Sequence, residues 1–265
     1  MIIKGFESAA NGMQALINQN DSTANNVANV NTVGFKKQNL IFQNIYDSGV
    51  VQKNPQTGEQ ESIGELSIGS RVQKLTYDFT QGSLDRTGNP FDLAVQGDGF
   101  FKIQSSSGDV SYTRNGSFTL NNKGFLTTKD GEFVLDDRGK KVQINTNDVV
   151  MRSLNDIIIN EDGQIALCND SGNTMMQKVG VYDFSNKEDM VGLGGSKFKP
   201  TAANNSKEVK PIKFSIQQGA LEMSNANTVN EMMKTISTSR NYEALSKMIK
   251  SGGDSLENAM RVARL

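Results

Sequence analysis

Largely apolar positions at both ends of the chain recur at alternating intervals of three and four residues. The set near the amino terminus comprises Phe6, Ala10, Met13, Ile17, Asn20, Ala24 and Val27. The set near the carboxyl terminus comprises Tyr242, Leu245, Ile249, Gly252, Leu256, Ala259 and Ala263. This spacing is that of the a and d positions of a coiled coil. We therefore predict a helix over residues 4 to 28, a second helix at the carboxyl end, and pairing between them.

Neither set contains enough large apolar side chains to make a stable pair alone. Alanine, asparagine and glycine at core positions bury little surface, and short isolated helices are marginal in water. We therefore expect part of the burial to come from other copies of the chain, although the two sets also suit a helical hairpin within one monomer.

The pattern between the two helices is that of an all-β region. Short apolar runs bounded by turn residues predict strands at 91–95, 99–103, 117–120 and 179–184, and a hairpin over 156–167 around Asp162-Gly163. Turn signals also occupy 121–124 and 129–132. The predicted fold class is therefore α+β, with paired terminal helices around a central β-rich domain.

The segments that join the helices to this region have a different composition. Side chains that compete with the helix for backbone hydrogen bonds crowd its end, at Asn25, Asn26, Asn29 and Asn31. They indicate caps and turns, or additional bonds to neighbouring subunits. Gly34 predicts a turn, Phe35 a hydrophobic anchor, and Lys36 and Lys37 solvated charges or partners of an acidic group on another subunit.

Residues 48–70 are rich in Gly, Gln, Ser and Glu and show weak periodicity. We predict an extended, partly irregular arm that contacts a neighbouring subunit; a disordered insertion is the alternative. Residues 192–197 predict a flexible surface loop. Ser224 or Asn227 is the expected cap of the last helix. The pair Gly252-Gly253 indicates either a close helix approach or local flexibility.

Composition excludes several classes of function. The 265 residues carry 28 basic and 29 acidic side chains, so no basic stripe for nucleic acid is expected. The chain has no histidine, which removes the usual general base and most metal-ligand patterns. Cys168 stands alone and predicts a small buried side chain rather than a disulfide. No membrane span and no secretory signal peptide are expected.

Candidate catalytic motifs fail on their order or spacing. In residues 192–197 serine precedes lysine, which reverses the order that a phosphate-binding loop requires. Residues 161–163 and 129–132 lack the ligand spacing of a calcium-binding loop. Asp92 and Asp98 leave open a hydrolase with paired carboxylates, and the β region leaves open a peptidoglycan-binding module. We predict no enzyme, no cofactor and no metal.

Four blocks of sequence resemble the bacterial flagellar rod and hook protein family. Residues 24–37 (ANNVANVNTVGFKK) closely resemble its amino-terminal signature, and residues 91–101 (FDLAVQGDGFF) resemble the start of its β domain. Residues 112–118 (YTRNGSF) resemble its next turn. The motif of its carboxy-terminal helix is matched by residues 224–227 (SNAN) through 240–244 (RNYEA).

The resemblance implies an architecture and a set of partners. It implies a helical coiled-coil domain, D0, at 1–30 and 224–265, a β-rich domain, D1, at 81–210, and a connecting region at 31–80 and 211–223. It further implies a homo-oligomeric helical tube, the periplasmic rod of the basal body, which transmits torque from motor to hook. Implied partners are other rod and hook proteins, the surrounding periplasmic and outer-membrane rings, and the flagellar type III export apparatus, without signal cleavage.

In position and length the arm resembles an extra stretch associated with distal rod proteins of this family. The resemblance therefore favours a distal rod protein, with a proximal rod protein as the alternative. The expected assembly interface combines apolar positions of both helices with the asparagine-rich segment: Phe6, Met13, Ile17, Asn25, Asn26, Asn29, Asn31, Gly34, Phe35, Tyr242, Leu245, Ile249 and Leu256.

Overall fold

The structure, a computed structural model, describes residues 2–53, 60–144, 157–169, 172–201, 207–211 and 213–262. Side chains are described over 5–46, 69–144, 157–166, 177–201, 207–211 and 213–262. An amino-terminal helix, a central β-rich region and a carboxy-terminal helix give the predicted α+β class. The chain divides into two compact units. The helical unit comprises Met1–Val27, Gln38–Leu75 and Asn227–Leu265, and the β unit comprises Ala28–Lys37 and Thr76–Ala226.

Two helices and a long β-hairpin occupy the helical unit. Helix α1 spans Ile2–Ala28 and helix α2 spans Thr228–Val262. The first therefore ends where the sequence predicts. Asn227 caps α2, since its Oδ1 accepts the backbone N–H of Asn230 at 3.1 Å.

The arm predicted over 48–70 is more regular than expected. Strand β1 covers Gln38–Lys53 and strand β2 covers Gln60–Tyr77, and the two form a two-stranded sheet. Residues 54–59 lie outside the described residues. The expectation of partly irregular chain is wrong for the described part. A two-stranded ribbon satisfies its backbone groups by mutual pairing, so it needs little apolar alternation in its sequence.

Short strands build the β unit. Over the described residues they are β3 Leu84–Arg86, β4 Leu93–Gly97, β5 Phe100–Gln104, β6 Val110–Thr113, β7 Phe118–Leu120, β8 Leu126–Thr128, β9 Phe133–Val134, β10 Ile157–Ile159, β11 Gln164–Asn169, β12 Gly172–Lys178, β13 Val181–Phe184, β14 Met190–Gly194, β15 Lys197–Pro200, β16 Glu208–Val209, β17 Phe214–Gln218 and β18 Ala220–Glu222.

Antiparallel neighbours dominate the sheets. The largest described sheet has the strand order β14-β15-β6-β5-β9-β8-β7, with β13 beside β5 and β16 beside β13. Strands β10, β11 and β12 form a second sheet, while β17 pairs with β4 and β18 with β3. The predicted hairpin around Asp162-Gly163 is confirmed, with Ile157 opposite Leu167. The turn signals at 121–124 and 129–132 also join neighbouring strands, β7 to β8 and β8 to β9.

Two groups of buried side chains hold the β unit together. The larger is aliphatic with three phenylalanines: Phe91, Leu93, Val95, Phe101, Ile103, Phe118, Leu126, Val134, Val142, Ile144, Ile157, Ile159, Ile165, Val179, Val181 and Ile216. The smaller is mostly aromatic: Phe100, Tyr112, Phe184, Met190 and Phe198. Edge-on ring contacts extend the smaller group to the start of the unit, where the centroid of Phe79 lies 5.2 Å from that of Phe100.

The segment predicted as a flexible loop at 192–197 is instead a hairpin. Strands β14 and β15 pair across Gly195 and Ser196, and Val191 lies opposite Lys199. Ser196 has a φ of 58° and its hydroxyl donates to the carbonyl of Val33 at 3.1 Å. The glycines therefore serve a tight turn between paired strands. Cys168 lies in β11, and its side chain is outside the described part of the chain.

Candidate assembly surfaces

Side chains of α1 and α2 contact each other at several of the predicted positions. The Cζ of Phe6 lies 2.9 Å from the place of a β-carbon at Gly252, so the ring packs directly on that glycine. In the same way, the Cδ1 of Leu245 lies 3.3 Å from a β-carbon position at Gly12. Glycine therefore allows a close helix approach at both points, which decides between the two interpretations of Gly252.

An open groove of about 350 Å³ lies between the two helices. Its lining comes from both: Leu16, Ile17, Asn20, Thr238, Ser239, Tyr242 and Glu243. Ile17 is 41% exposed and Tyr242 is 37% exposed. These two predicted residues therefore present apolar surface to solvent, whereas Met13, Leu245, Ile249 and Leu256 are half-buried.

Asn26 connects three elements of the helical unit. Its Nδ2 donates to the carbonyl of Gln38 at 3.0 Å, and its Oδ1 accepts the N–H of the same residue at 2.8 Å. The same Nδ2 lies 3.2 Å from Oε2 of Glu231 in α2. Asn26 is 1% exposed. The side chain therefore pairs with the first residue of β1 as a neighbouring strand would, and holds that residue beside both helices.

The other predicted asparagines lie nearer the surface. Asn25 and Asn31 are exposed, and Asn29 is half-buried. Asn29 closes the turn after α1, since its carbonyl accepts the N–H of Thr32 at 3.1 Å and its Oδ1 accepts the hydroxyl of Thr32 at 3.1 Å. Of the four predicted asparagines, Asn26 is therefore the buried one.

Gly34 and Phe35 are buried inside the β unit. Gly34 has a φ of 66°, and a β-carbon there would stand 2.3 Å from the backbone nitrogen of Asn115. Its N–H donates to the carbonyl of Glu222 at 2.7 Å. Phe35 is almost fully buried, in agreement with its predicted role as an anchor. Both residues hold the segment after α1 against the β strands.

Lys36, predicted to be solvated or paired with an acidic group of another subunit, is instead fully buried within its own chain. Its Nζ lies 2.6 Å from Oε1 of Glu222 and donates to the carbonyl of Thr80 at 2.7 Å. Burial lowers the pKa of Lys36 below its usual value, while the carboxylate of Glu222 acts in the opposite direction. The partner is thus an acid of the same chain, and the ammonium has a second acceptor in a backbone carbonyl.

Arg114 completes this buried group. Its Nη1 lies 3.1 Å from Oε2 of Glu222, and its Nη2 donates to the carbonyl of Gly97 at 2.8 Å. The guanidinium also lies 5.2 Å from the ring centroid of Phe100. Side-chain exposure is 0% for Lys36 and Glu222 and 1% for Arg114. We call Lys36, Arg114 and Glu222 the junction cluster.

Sequence reasoning missed the junction cluster, although each member lies in or beside a segment singled out above. Lys36 ends the asparagine-rich segment, Arg114 lies in residues 112–118, and Glu222 ends the strand before α2. The burial of these charges is not visible in the sequence, so no local signal distinguishes them. Their mutual pairing spans 186 positions of sequence, so local periodicity does not reveal it.

Large apolar side chains are exposed on the described part of α2. They are Val229, Met232, Met233, Ile236, Met248, Met260 and Val262. The first four follow the i, i+3, i+4, i+7 spacing that places side chains on one helix face. An exposed apolar face of this kind is typical of a surface that another protein covers.

The carboxylates of Asp92 and Asp98 both have structural partners. Asp92 accepts the hydroxyl of Thr87 at 2.6 Å and the amide of Asn89 at 3.1 Å. Asp98 pairs with Lys187 at 2.5 Å. Over the residues described, no group of acidic or cysteine side chains has the arrangement of a metal site. None of the described helices is both long and apolar enough to cross a membrane.

Comparison with known proteins gives matches at both ends and in the β unit. The family described as "Flagella basal body rod protein" matches residues 6–36, and "Flagellar hook protein FlgE/F/G D1 domain" matches residues 94–167. "Flagellar basal body rod FlgEFG protein C-terminal" matches residues 217–262. Together these matches contain residues 6–28 of α1, all of α2, and Lys36, Arg114 and Glu222 of the junction cluster.

Curated relatives align over most of the chain. The flagellar basal-body rod protein FlgG of Bacillus subtilis is 27% identical over 99% of this chain and 100% of its own length. FlgG of Agrobacterium fabrum is 30% identical over 93% of this chain and 94% of its own. FlgF of Caulobacter vibrioides is 32% identical over 86% and 85%, respectively. The similarity therefore extends across helices and β unit alike.

Proposed function

Since the chain belongs to the flagellar basal-body rod protein family and is a structural subunit of the rod, we propose that its copies assemble helically into a hollow tube. The tube transmits torque from the motor to the hook and gives passage to exported subunits. The exposed apolar face of α2 is the observation that carries this proposal, because such a face is covered when subunits pack side by side.

Pairing of α1 and α2 as a coiled coil is the first element of the proposal. The contact of Phe6 with Gly252 supports it, since both residues lie on the predicted stripes. Leu245 also lies on its predicted stripe and contacts Gly12, one residue from the predicted Met13. Circular dichroism of the purified monomer tests whether pairing precedes assembly. A monomer whose spectrum lacks the helical signal of α1 and α2 would contradict pairing within the single chain.

We assign the assembly interface to the predicted positions on the helices and to the segment after α1. Ile17 and Tyr242 supply exposed apolar surface beside the groove. Asn25 and Asn31 are exposed, and we assign them polar contacts with neighbouring copies. Asn26, Gly34 and Phe35 are buried within their own chain, so their contribution is to hold this surface in place.

The domain assignment follows the family architecture. We propose D0 at 1–30 and 224–265, D1 at 81–210, and a connecting region at 31–80 and 211–223 that carries the arm at 48–70. The pairing of β1 with β2 supports an arm stiff enough to lock neighbouring subunits and keep the tube straight. Deleting residues 50–66 should then give a more bendable rod, and unchanged curvature of isolated rods would refute this role.

Within the rod we favour the distal position. FlgG relatives from three organisms align over at least nine-tenths of this chain with 27% to 31% identity, which supports a distal subunit. The proximal position is the alternative, because FlgF of Caulobacter vibrioides is 32% identical over 86% of the chain. Electron cryomicroscopy of intact basal bodies tests this directly, since the position of the subunit along the axis distinguishes the two.

Membership in the family supports a location in the flagellar basal body and assembly with other rod and hook proteins. We further propose a periplasmic location, contacts with the surrounding periplasmic and outer-membrane rings, and export through the type III apparatus without signal cleavage. We also propose that the chain has no catalytic role. Structural partners of Asp92 and Asp98 support this, because both carboxylates already act as hydrogen-bond or ion-pair acceptors.

A further inference from the structure

The chain passes between its two units four times, and three of these passages lie next to one buried group of contacts. The passages follow Val27, Lys37, Leu75 and Ala226. On the β side, Lys36 precedes the second passage by one residue, residues 78–82 follow the third, and residues 222–225 precede the fourth. Each of these three segments contributes polar groups to the junction cluster or to its immediate surroundings.

Glu222 is bonded to all the parts of this arrangement at once. One carboxylate oxygen accepts Nζ of Lys36 at 2.6 Å and the N–H of Gly82 at 2.9 Å. The other accepts Nη1 of Arg114 at 3.1 Å. Its backbone carbonyl accepts the N–H of Gly34 at 2.7 Å. A single residue therefore contacts three segments that are far from it in the sequence, those of Gly34 and Lys36, of Gly82 and of Arg114.

Asn225 repeats the same connections with neutral groups. Its Oδ1 accepts the N–H of Lys37 at 2.8 Å, and its Nδ2 donates to the carbonyls of Asp78 at 2.8 Å and Thr80 at 3.1 Å. The N–H of Asp78 in turn donates to the carbonyl of Lys37 at 2.8 Å. The three segments are thus tied pairwise as well as through Glu222.

Burial makes these ties dependent on one another. A buried charge that loses its partner carries a desolvation penalty that the remaining contacts do not offset. In the complete group both cations are paired with the carboxylate of Glu222, and of the polar atoms of these three side chains Nε of Arg114 is buried without a hydrogen-bond partner among the described residues. If the segment with Glu222 were absent, Lys36 and Arg114 would be two buried cations without an anion. If the segment with Lys36 were absent, the ammonium-facing oxygen of Glu222 would keep only the N–H of Gly82.

We propose that the junction cluster forms cooperatively. The segments carrying Lys36, Thr80 and Glu222 pack on the β strands only when all three do so together, and we call this arrangement the latch. The segment after α1 and the segment before α2 therefore become ordered together, and neither packs on the β strands before the other. The latch acts within one chain and does not depend on assembly, so a monomer tests it apart from the rod function proposed above.

Hydrogen exchange of individual amides in the full-length monomer tests the latch from both sides. Glu222→Gln keeps the shape but removes the anion, and we expect faster exchange at the amides of Gly34, Lys37 and Asp78 by about 100-fold or more. Lys36→Met should accelerate the distant amides of Gly82 and Met223 by a similar factor. Amides of β5 and β6 in the sheet core are expected to stay protected in both variants.

Lys187→Met is the matched control. Lys187 makes an equally short ion pair, 2.5 Å to Asp98, but that pair is partly open to solvent. The control should leave all five reporter amides unchanged. Wild-type protection of Gly82 and Met223 in Lys36→Met would overturn the latch, because the segments would then close independently.

Asn225→Ala serves if Glu222→Gln does not fold. It removes neutral bonds to Lys37, Asp78 and Thr80 without leaving a buried charge unpaired. Acceleration at Gly82, which Asn225 does not contact in these bonds, supports cooperative closure. Acceleration confined to Lys37 contradicts it.

Discussion

Glycine residues with similar backbone angles differ sharply in their surroundings. Gly34 and Gly88 have φ values of 66° and 73°. A β-carbon at Gly34 would lie 2.3 Å from the nitrogen of Asn115, whereas one at Gly88 has open space within 4 Å. Alanine substitutions at the two positions therefore distinguish the free-energy cost of a positive φ from the cost of a steric clash.

We expect Gly34→Ala to lower the free energy of unfolding by at least ~3 kcal/mol, since positive φ and a backbone clash add. Gly88→Ala is the control, with a loss of about 1 kcal/mol from backbone conformation alone. Urea unfolding of the two variants measures the difference. Equal losses would mean that the segment around Gly34 moves aside freely.

Asn26 contributes to the stability of the helical unit through the hydrogen bonds that its side chain makes. Asn26→Ala leaves the backbone groups of Gln38 and the carboxylate of Glu231 without their bonds to it, so we expect a loss of about 2–3 kcal/mol in the helical unit. Loss of the helical circular dichroism signal on heating measures this. Asn18→Ala, a half-buried asparagine of the same helix, is the control and should cost less than ~1 kcal/mol. Similar midpoints for both variants would contradict the role of Asn26.

At the scale of elements, the contact between α1 and α2 depends on the first of two neighbouring glycines. Gly253 has nothing within 4 Å of a β-carbon position, whereas Gly252 has the ring of Phe6 at 2.9 Å. We expect Gly253→Ala to stabilise α2 by up to about 1 kcal/mol through helix propensity. Gly252→Ala should gain less or lose stability, because the ring must move.

A second background makes this comparison decisive. In chains that also carry Phe6→Ala, both glycine substitutions should stabilise α2 equally, since the obstructing ring is gone. Thermal unfolding followed by circular dichroism measures all the variants. A persistent difference between the two glycines in that background would show that Phe6 is not its cause.

Strand β13 contains a tyrosine that links stability to pH. Burial, together with the nearby carboxylates of Glu208, Asp136 and Asp137, raises the pKa of Tyr182 to about 12. The unfolded chain releases this proton near pH ~10. The contribution to stability is therefore complete below about pH 10 and is lost as the pH rises to about 12. Tyr182→Phe should show a shallower decline over this range in urea unfolding, and an unchanged slope would exclude the effect.

The elements that sequence predicts well are those specified by nearby residues. The helix end at Ala28, the cap at Asn227 and the turn at Gly163 each follow from residues within a few positions. The ribbon of β1 and β2 and the burial of Lys36 do not, because both depend on partners far along the chain. Lys36 is followed by a second lysine, and nothing in the neighbouring sequence indicates that Glu222 lies beside it.

At the scale of the whole molecule, the buried charges have partners within the chain, whereas the exposed apolar surface lacks a covering element among the described residues of the single chain. The buried charges of the junction cluster are paired with one another within one chain. The face formed by Val229, Met232, Met233 and Ile236 is exposed in the single chain. We therefore expect rod assembly to gain apolar burial from that face rather than from the junction cluster.

Charges placed on the exposed face of α2 should consequently affect assembly without affecting the fold. We expect the double variant Met232→Lys, Met233→Lys to unfold at the wild-type temperature as a monomer, because both side chains are already in solvent. It should fail to support rod formation and motility when it replaces the wild-type gene, since two buried lysines would lack partners in the tube. The matched variant with leucine at both positions keeps the apolar face and should remain motile. Motility of the lysine variant at the wild-type level would show that this face stays open in the rod.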